Sequence, residues 1–155
     1  MKRDRHAVIR QILEEMPIRT QTDLASALAD EGIRVTQATV SRDMKEMHLV
    51  KVPMQGGGYR YATPETESRE TGQRLIRLLA DCVTGVETGG QMIVVKTLSG
   101  AAGTAAEALD VLEMPEIMGS IAGDNTIFLA ARDPEGAARA AERIRRMTRK
   151  GGADA

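Results

Sequence analysis

The sequence has very few of the residues on which several classes of protein depend. Its 155 residues include one cysteine, two histidines, one phenylalanine and no tryptophan. A single thiol excludes an internal disulfide framework, and two histidines beside it leave little from which to build a zinc site. No apolar run approaches the length of a signal peptide core or a membrane span. We therefore expect a soluble, cytoplasmic protein that needs no metal or other cofactor.

The shortage of reactive side chains also argues against an enzyme. His6 and His48 are better explained as surface or capping residues, and Cys82 has no base near it in the sequence. The glycine loop that would bind a phosphate is missing as well. We therefore predict no catalytic residue.

Charge is divided unevenly along the chain, although the total is only -1. Residues 1–62 carry ten lysines and arginines against eight acidic residues, and residues 63–155 carry eleven against fourteen. A polyanion would prefer the first half. Small imbalances of this kind more often serve solubility, so charge alone does not decide whether a nucleic acid is a partner.

Three helices and a hairpin are predicted in the first half. Apolar spacing and capping residues indicate helices over residues 4–16, from a Thr20 cap to Gly32, and over residues 37–47. Two strand-like runs follow at residues 49–54 and 59–62, joined by a glycine-rich turn. This order is typical of a winged helix-turn-helix. We assign residues 1–63 to such a domain.

Residues 64–71 contain a proline and charged side chains but no apolar residue, which predicts an exposed linker. The second domain is assigned to residues 72–150, and residues 151–155 to a frayed tail. The predicted order of elements in the second domain is helix, two strands, helix, two strands, helix. That order predicts an open α/β sandwich with helices on one face of a mainly antiparallel sheet, and hence an α+β, two-domain protein. Because the domain has only one aromatic residue, Phe128, oligomerisation would supplement a thin core.

One face of the third helix is polar. Gln37, Ser41, Arg42 and Lys45 fall within an arc of about 140° at 100° per residue. We call these four residues the polar face. Such side chains can reach base edges in the major groove, where Arg pairs with guanine and Gln with adenine. Any surface helix has polar residues on its free side, so the helix pattern alone leaves both interpretations open.

Residues 35–53 (VTQATVSRDMKEMHLVKVP) closely resemble the recognition region of bacterial arginine repressors. A second segment, residues 119–127 (GSIAGDNTI), lies where that family has its arginine-binding turn. The resemblance covers most of the chain. It implies a DNA-binding winged helix, a C-terminal domain that forms trimers stacked into hexamers, and palindromic operators. The implied function is repression of arginine biosynthesis genes with L-arginine as corepressor.

The resemblance also implies the site residues. Gln37, Ser41 and Arg42 match positions that contact DNA in the family. The predicted DNA-binding set is Gln37, Thr39, Ser41, Arg42 and Lys45. The predicted arginine-binding set is Asp110, Asp124, Asn125 and Thr126, since a guanidinium and an ammonium call for acidic oxygens.

The sequence departs from the family at two places in the effector region. Asn125 stands where the family usually has a second aspartate, which removes one negative charge per subunit. Gly103 stands where the family has a polar side chain that contacts the ligand. We therefore expect arginine affinity or specificity to differ from the family pattern.

Several alternatives remain at this stage. The turn around Asp124 has the composition of an ordinary hairpin turn, and Asp110 that of an exposed helix carboxylate. The chain could regulate arginine catabolism or act as an accessory DNA-architectural factor with a weakened arginine response. In another class, it could be an amino-acid sensor whose winged helix binds proteins and not DNA.

Overall fold

The computed structural model describes residues 2–149, which form six helices and six strands. The helices are α1 Lys2–Glu15, α2 Gln21–Asp30, α3 Gln37–Glu46, α4 Pro64–Cys82, α5 Ala102–Val111 and α6 Pro134–Thr148. The strands are β1 Val50–Pro53, β2 Tyr59–Ala62, β3 Val83–Gly89, β4 Met92–Thr97, β5 Ile117–Ala122 and β6 Thr126–Ala131. The chain divides into two compact units, of which the first ends at Glu70 and the second begins at Thr71. The predicted tail, 151–155, lies outside the described residues.

The first unit is built around an apolar core that α1, α2 and α3 share. Its largest fully buried apolar side chains are Ile9, Leu24, Leu28 and Val40. The capping box predicted for α2 is present: Thr20 Oγ1 accepts a hydrogen bond from Asp23 N, and the Asp23 carboxylate accepts one from Thr20 N, both at 3.0 Å. The three predicted helices are confirmed to within two residues at their ends.

The two strands of the first unit form the predicted hairpin. β1 and β2 pair antiparallel, and Tyr61 N donates to Ile18 O at 2.8 Å, which ties β2 to the segment after α1. At the tip, Gly56, Gly57 and Gly58 all have positive φ, between 79° and 101°, a region that other residues rarely adopt. Three helices and this hairpin make a winged helix-turn-helix.

Residues 64–71, which the sequence predicts as an exposed linker, form the first two turns of α4 and not an irregular segment. Thr63 Oγ1 accepts a hydrogen bond from Thr66 N at 3.2 Å and so caps the helix. Pro64 fits the first helical position, where no backbone N–H is needed, and Glu65 favours the positive end of the helix dipole. The absence of apolar residues indicated exposure, and exposure does not prevent a well-capped helix from forming.

The second unit is the predicted open sandwich. Its four strands are antiparallel in the order β3-β4-β6-β5, with β4 opposite β6 at the centre. Alternate residues of the central strands, including Ile93, Val95, Ile127 and Leu129, are buried against α5 and α6. Small side chains such as Ala105 in α5 let the helices lie close to the sheet. The predicted α+β fold class is thus confirmed.

Within residues 71–149, no helix covers the opposite face of the sheet. Four large apolar side chains of its strands are 40% to 72% exposed there or at its edge. They are Met92, Met118, Ile121 and Phe128. We call these four residues the outer-face patch. No helix within residues 2–149 combines the length and apolarity that crossing a bilayer requires.

Candidate DNA-reading helix and effector turn

α3 begins at a well-defined cap and turns an apolar face into the core of the first unit. Thr36 Oγ1 accepts a hydrogen bond from Thr39 N at 3.2 Å, which satisfies one backbone donor of the first turn. Val40 and Met44 are buried beside α1 and α2. The polar face is consequently turned away from the core.

The structure leaves the predicted DNA-contacting side chains accessible. Gln37, Arg42 and Lys45 are exposed, and Thr39 and Ser41 are half-buried. Thr39 Oγ1 lies 3.0 Å from Thr36 Oγ1 and so also supports the cap. Within residues 2–149, the three exposed side chains form no ion pair or side-chain hydrogen bond. They are available to an external ligand.

Sequence reasoning missed one charged residue of α3. Asp43 lies on the buried side of the helix and is only 1% exposed. Arg5 of α1 donates to both carboxylate oxygens, from Nε at 2.5 Å and from Nη2 at 3.0 Å. These hydrogen bonds hold the pKa of Asp43 below its ordinary value, and the same contact raises the pKa of Arg5. The signal in the sequence was an aspartate at a core-facing position of α3.

Asp43 also belongs to a group that could in principle bind a metal ion. Its carboxylate, His6 and Glu46 place their ligand atoms within 4.8 Å of one another. However, Arg5 already occupies both oxygens of Asp43, and Lys2 Nζ lies 2.7 Å from Glu46 Oε2. A cation would have to displace two positive side chains, so the cluster is better explained as ion pairing between helices.

The predicted effector turn connects β5 to β6, and its backbone is held at three points. Gly123 N donates to Thr126 O at 2.8 Å, Thr97 N donates to Asn125 O at 2.8 Å, and Ala102 N donates to Asp124 O at 3.2 Å. The last of these bonds places the turn beside the beginning of α5. The Asp124 side chain is exposed and makes no side-chain hydrogen bond within residues 2–149.

The two side chains that follow Asp124 in the turn already have hydrogen-bond partners. Thr126 Oγ1 donates to Asn125 Oδ1 at 2.9 Å, and Lys96 Nζ donates to Thr126 Oγ1 at 3.0 Å. A positive charge therefore already lies beside the turn. A cationic ligand would meet Lys96 as well as Asp124.

Asp110 lies at the opposite end of α5. It accepts a hydrogen bond from Ser120 Oγ at 3.3 Å and lines a surface groove of about 380 Å³ together with Glu113 and Met118. Eight residues of helix separate Ala102 from Asp110, which corresponds to about 12 Å along the axis. The structure of one chain therefore does not bring Asp110 together with the effector turn. At Gly103, no atom lies within 4 Å of the place that a side-chain carbon would occupy.

Comparison with known families agrees with this geometry. Residues 1–69 match the family described as "Arginine repressor, DNA binding domain", and residues 79–146 match "Arginine repressor, C-terminal domain". The chain belongs to the arginine repressor family. It is accordingly a DNA-binding transcriptional regulator and not an enzyme. This membership decides against a sensor that does not bind DNA.

Curated members of the family align over nearly the whole chain. "Arginine repressor" of Alkaliphilus metalliredigens is 44% identical over 149 residues, which are 96% of this chain and 100% of that protein. The protein of that name from Carboxydothermus hydrogenoformans is 51% identical over 136 residues, 87% and 91% of the two chains. The one from Clostridium tetani is 43% identical over 152 residues, 98% and 99%. The resemblance inferred from two short motifs is thereby confirmed.

Proposed function

We propose that this protein represses arginine biosynthesis genes in the cytoplasm by binding palindromic operator DNA as a hexamer, with L-arginine as corepressor. The observation that carries the proposal is the geometry of α3, whose polar face is free while its other face is anchored in the core. Both halves of the chain match families of arginine repressors, and its relatives carry that name.

The proposed DNA contacts follow from the accessibility of α3. Arg42 and Gln37 are the side chains suited to base edges, and Lys45 is suited to phosphate. Ser41 and Thr39 are half-buried, and their hydroxyls suit phosphate contacts close to the helix surface. Base contacts would supply sequence preference, and phosphate contacts would supply affinity that falls with salt.

The proposed arginine site is formed by Asp124, Asn125, Thr126 and Asp110. Since Asp110 and the effector turn lie at opposite ends of α5 in one chain, a site that uses both draws on more than one chain. The outer-face patch supports such an assembly, because contiguous apolar side chains on a sheet face favour contact with another copy. We propose a trimer that pairs into a dimer of trimers.

Assembly would link arginine to DNA binding. Exposed Asp124 carboxylates from several copies would repel one another if brought together, and a bound arginine cation would relieve that repulsion. A larger assembly presents paired winged helices to a two-fold operator, which raises their effective concentration. Arginine would then strengthen DNA binding without touching DNA.

A gel-shift series tests the proposal. The probe is a palindromic duplex that the wild type selects from a randomised pool, assayed with and without L-arginine. Arg42→Ala should lower the affinity at least about fivefold, because one bidentate base contact is worth about 1–3 kcal/mol. Arg77→Ala is the control, since it removes the same charge from an exposed position on α4. Equal effects of the two variants, or no palindrome in the selected pool, would contradict the proposal.

Two observations favour a second candidate, a regulator with a weakened arginine response that acts in arginine catabolism or as an accessory architectural factor. Asn125 lacks the charge of an aspartate, and Lys96 lies beside the turn. Gly103 has no side chain with which to contact a ligand, and the space beside it is open. An operator shift that is complete without arginine would favour this candidate.

A further inference from the structure

We propose that Asp43, held by Arg5 and His6, is a positioning residue that sets the orientation of α3 and thereby the sequence preference of DNA binding. The inference rests on the proposed function in one respect, that the polar face of α3 reads DNA. It adds a residue that does not touch DNA itself.

The burial of Asp43 is the first step. Its side chain is 1% exposed and belongs, with Val40 and Met44, to the buried face of α3. Burying a carboxylate is costly unless it is paired, and a well-packed apolar side chain of similar size is often equally stabilising or more so. Stability alone therefore does not account for an aspartate at this position. A directional contact does.

The geometry of the pair is the second step. The Arg5 guanidinium donates to Asp43 Oδ2 at 2.5 Å and to Oδ1 at 3.0 Å. His6 Nε2 also lies 3.0 Å from Oδ1 and donates to it, because a carboxylate only accepts. Three donors from one turn of α1 thus fix both oxygens. Such a forked hydrogen bond constrains both the distance between α1 and α3 and the rotation of α3 about its axis, which apolar packing does not.

The position of Asp43 in α3 is the third step. Asp43 follows Arg42 directly and is 100° from it around the helix. Any rotation of α3 large enough to break the fork therefore swings Arg42 as well. The apolar residues of α3, such as Val40, lie in a core that α1 and α2 share, and such packing has no preferred direction. The Arg5–Asp43 ion pair would therefore fix the rotation of α3, and with it the direction in which the polar face points.

A second ion pair joins the same two helices and supplies a matched control. Lys2 Nζ lies 2.7 Å from Glu46 Oε2, one turn of α3 beyond Asp43. The Lys2 and Glu46 side chains are 59% and 36% exposed, and a pair of this kind contributes little. Glu46→Gln and Asp43→Asn change the net charge equally, so nonspecific attraction to DNA changes equally.

The experiment measures the ratio of dissociation constants for the selected palindrome and for a shuffled duplex of the same composition. It uses the full chain, and circular dichroism shows that each variant is folded at the assay temperature. In Asp43→Asn the ratio should fall at least about fivefold, the low end of what one bidentate base contact is worth. Glu46→Gln should leave the ratio within about twofold. Affinity for the shuffled duplex should be alike in the two variants.

Arg5→Lys keeps the charge but loses the fork, and it guards against a failure of Asp43→Asn to fold. It should lower the ratio without altering the dependence of binding on salt, because the phosphate contacts remain. In the double variant Arg5→Gln with Asp43→Asn, the ratio should fall no further than in the more affected of its two single variants, since both substitutions break the same contact.

The outcomes separate the two proposals. Folded Asp43→Asn and Arg5→Lys proteins that keep the wild-type ratio overturn the positioning role and leave the proposed function intact. If Asp43 had a purely structural role, the variants would have a lower melting temperature and an unchanged ratio. That result also contradicts the positioning role. A wild type that does not distinguish the palindrome from the shuffled duplex contradicts the proposed reading of DNA and this inference with it.

Discussion

The two candidate sites differ in how much of each lies within a single chain. On α3, three of the four residues of the polar face are exposed, and the buried side of the same helix is anchored by Asp43 and Arg5. In the second unit, the effector residues are divided between the two ends of α5. The winged helix can therefore present its polar face as a monomer. The arginine site, if it uses Asp110 and Asp124 together, needs neighbouring copies.

The largest effect is expected from breaking the proposed assembly. Ile121→Glu places a charge in the outer-face patch at its most exposed member. Burying an unpaired charge costs several kcal/mol, so self-association should weaken by about 100-fold or more. Arginine binding should be lost with it, whereas the isolated winged helix keeps its weak, salt-dependent affinity for DNA. Sedimentation velocity and calorimetry measure the two losses.

The matched control for assembly is Met16→Glu. This residue is also a large apolar side chain, 46% exposed, but it lies in the first unit. Its variant should sediment as the wild type does. If Ile121→Glu keeps both the assembly and arginine binding, the effector site is complete in one chain and the contrast between the two sites disappears.

A smaller effect is expected from restoring charge to the effector turn. Asn125→Asp adds a second carboxylate beside Asp124, and it should tighten arginine binding about tenfold, as one charge-assisted hydrogen bond would. Arginine titration by calorimetry measures the change. Asn125→Ser, which stays neutral, controls for the loss of the amide. Unchanged or weaker binding in Asn125→Asp would show that charge at this position does not limit the affinity.

The pH dependence of stability supplies a test of the anchored side of α3 that involves neither DNA nor arginine. The folded-state pKa of Asp43 lies below its ordinary value of 3.8, so ionised Asp43 stabilises the first unit above that pH. At pH 7, Asp43→Asn should lower the free energy of unfolding by about 1–3 kcal/mol. The gap between wild type and variant should shrink as the pH falls below 3.8 and towards the depressed pKa.

Urea denaturation between pH 7 and pH 3 measures this gap. Glu46→Gln serves as the comparison, and its gap should be smaller throughout. A gap for Asp43→Asn that stays constant with pH would mean that the charge of Asp43 does not stabilise the fold.

Much of the fold follows from local patterns that the sequence shows directly. The caps at Thr20 and Thr36 and the glycine run at the hairpin tip predicted their elements because each acts within a few residues. The short apolar run of β6 likewise predicted a strand. Composition did less well over residues 64–71, where the cap at Thr63 outweighs the lack of apolar side chains.

The candidate sites were less predictable, because they depend on contacts between distant residues. The polar face of α3 could be read from a helical wheel. The contact between Arg5 and Asp43 joins residues 38 positions apart, and periodicity carries no information on such a partner. Nor did the sequence show that Asp110 and the turn that contains Asp124 lie at opposite ends of α5, since the resemblance implied one arginine-binding set for both.

The anchoring of the effector turn limits how a bound ligand can act. Three backbone hydrogen bonds close the turn and hold it to β4 and to the beginning of α5, while the Asp124 carboxylate remains exposed. A ligand that binds the Asp124 carboxylate need not move the backbone of the turn. In the proposed assembly, a signal from this turn would be transmitted by which copies stay together and not by a change of shape within one copy, so its strength would depend on protein concentration.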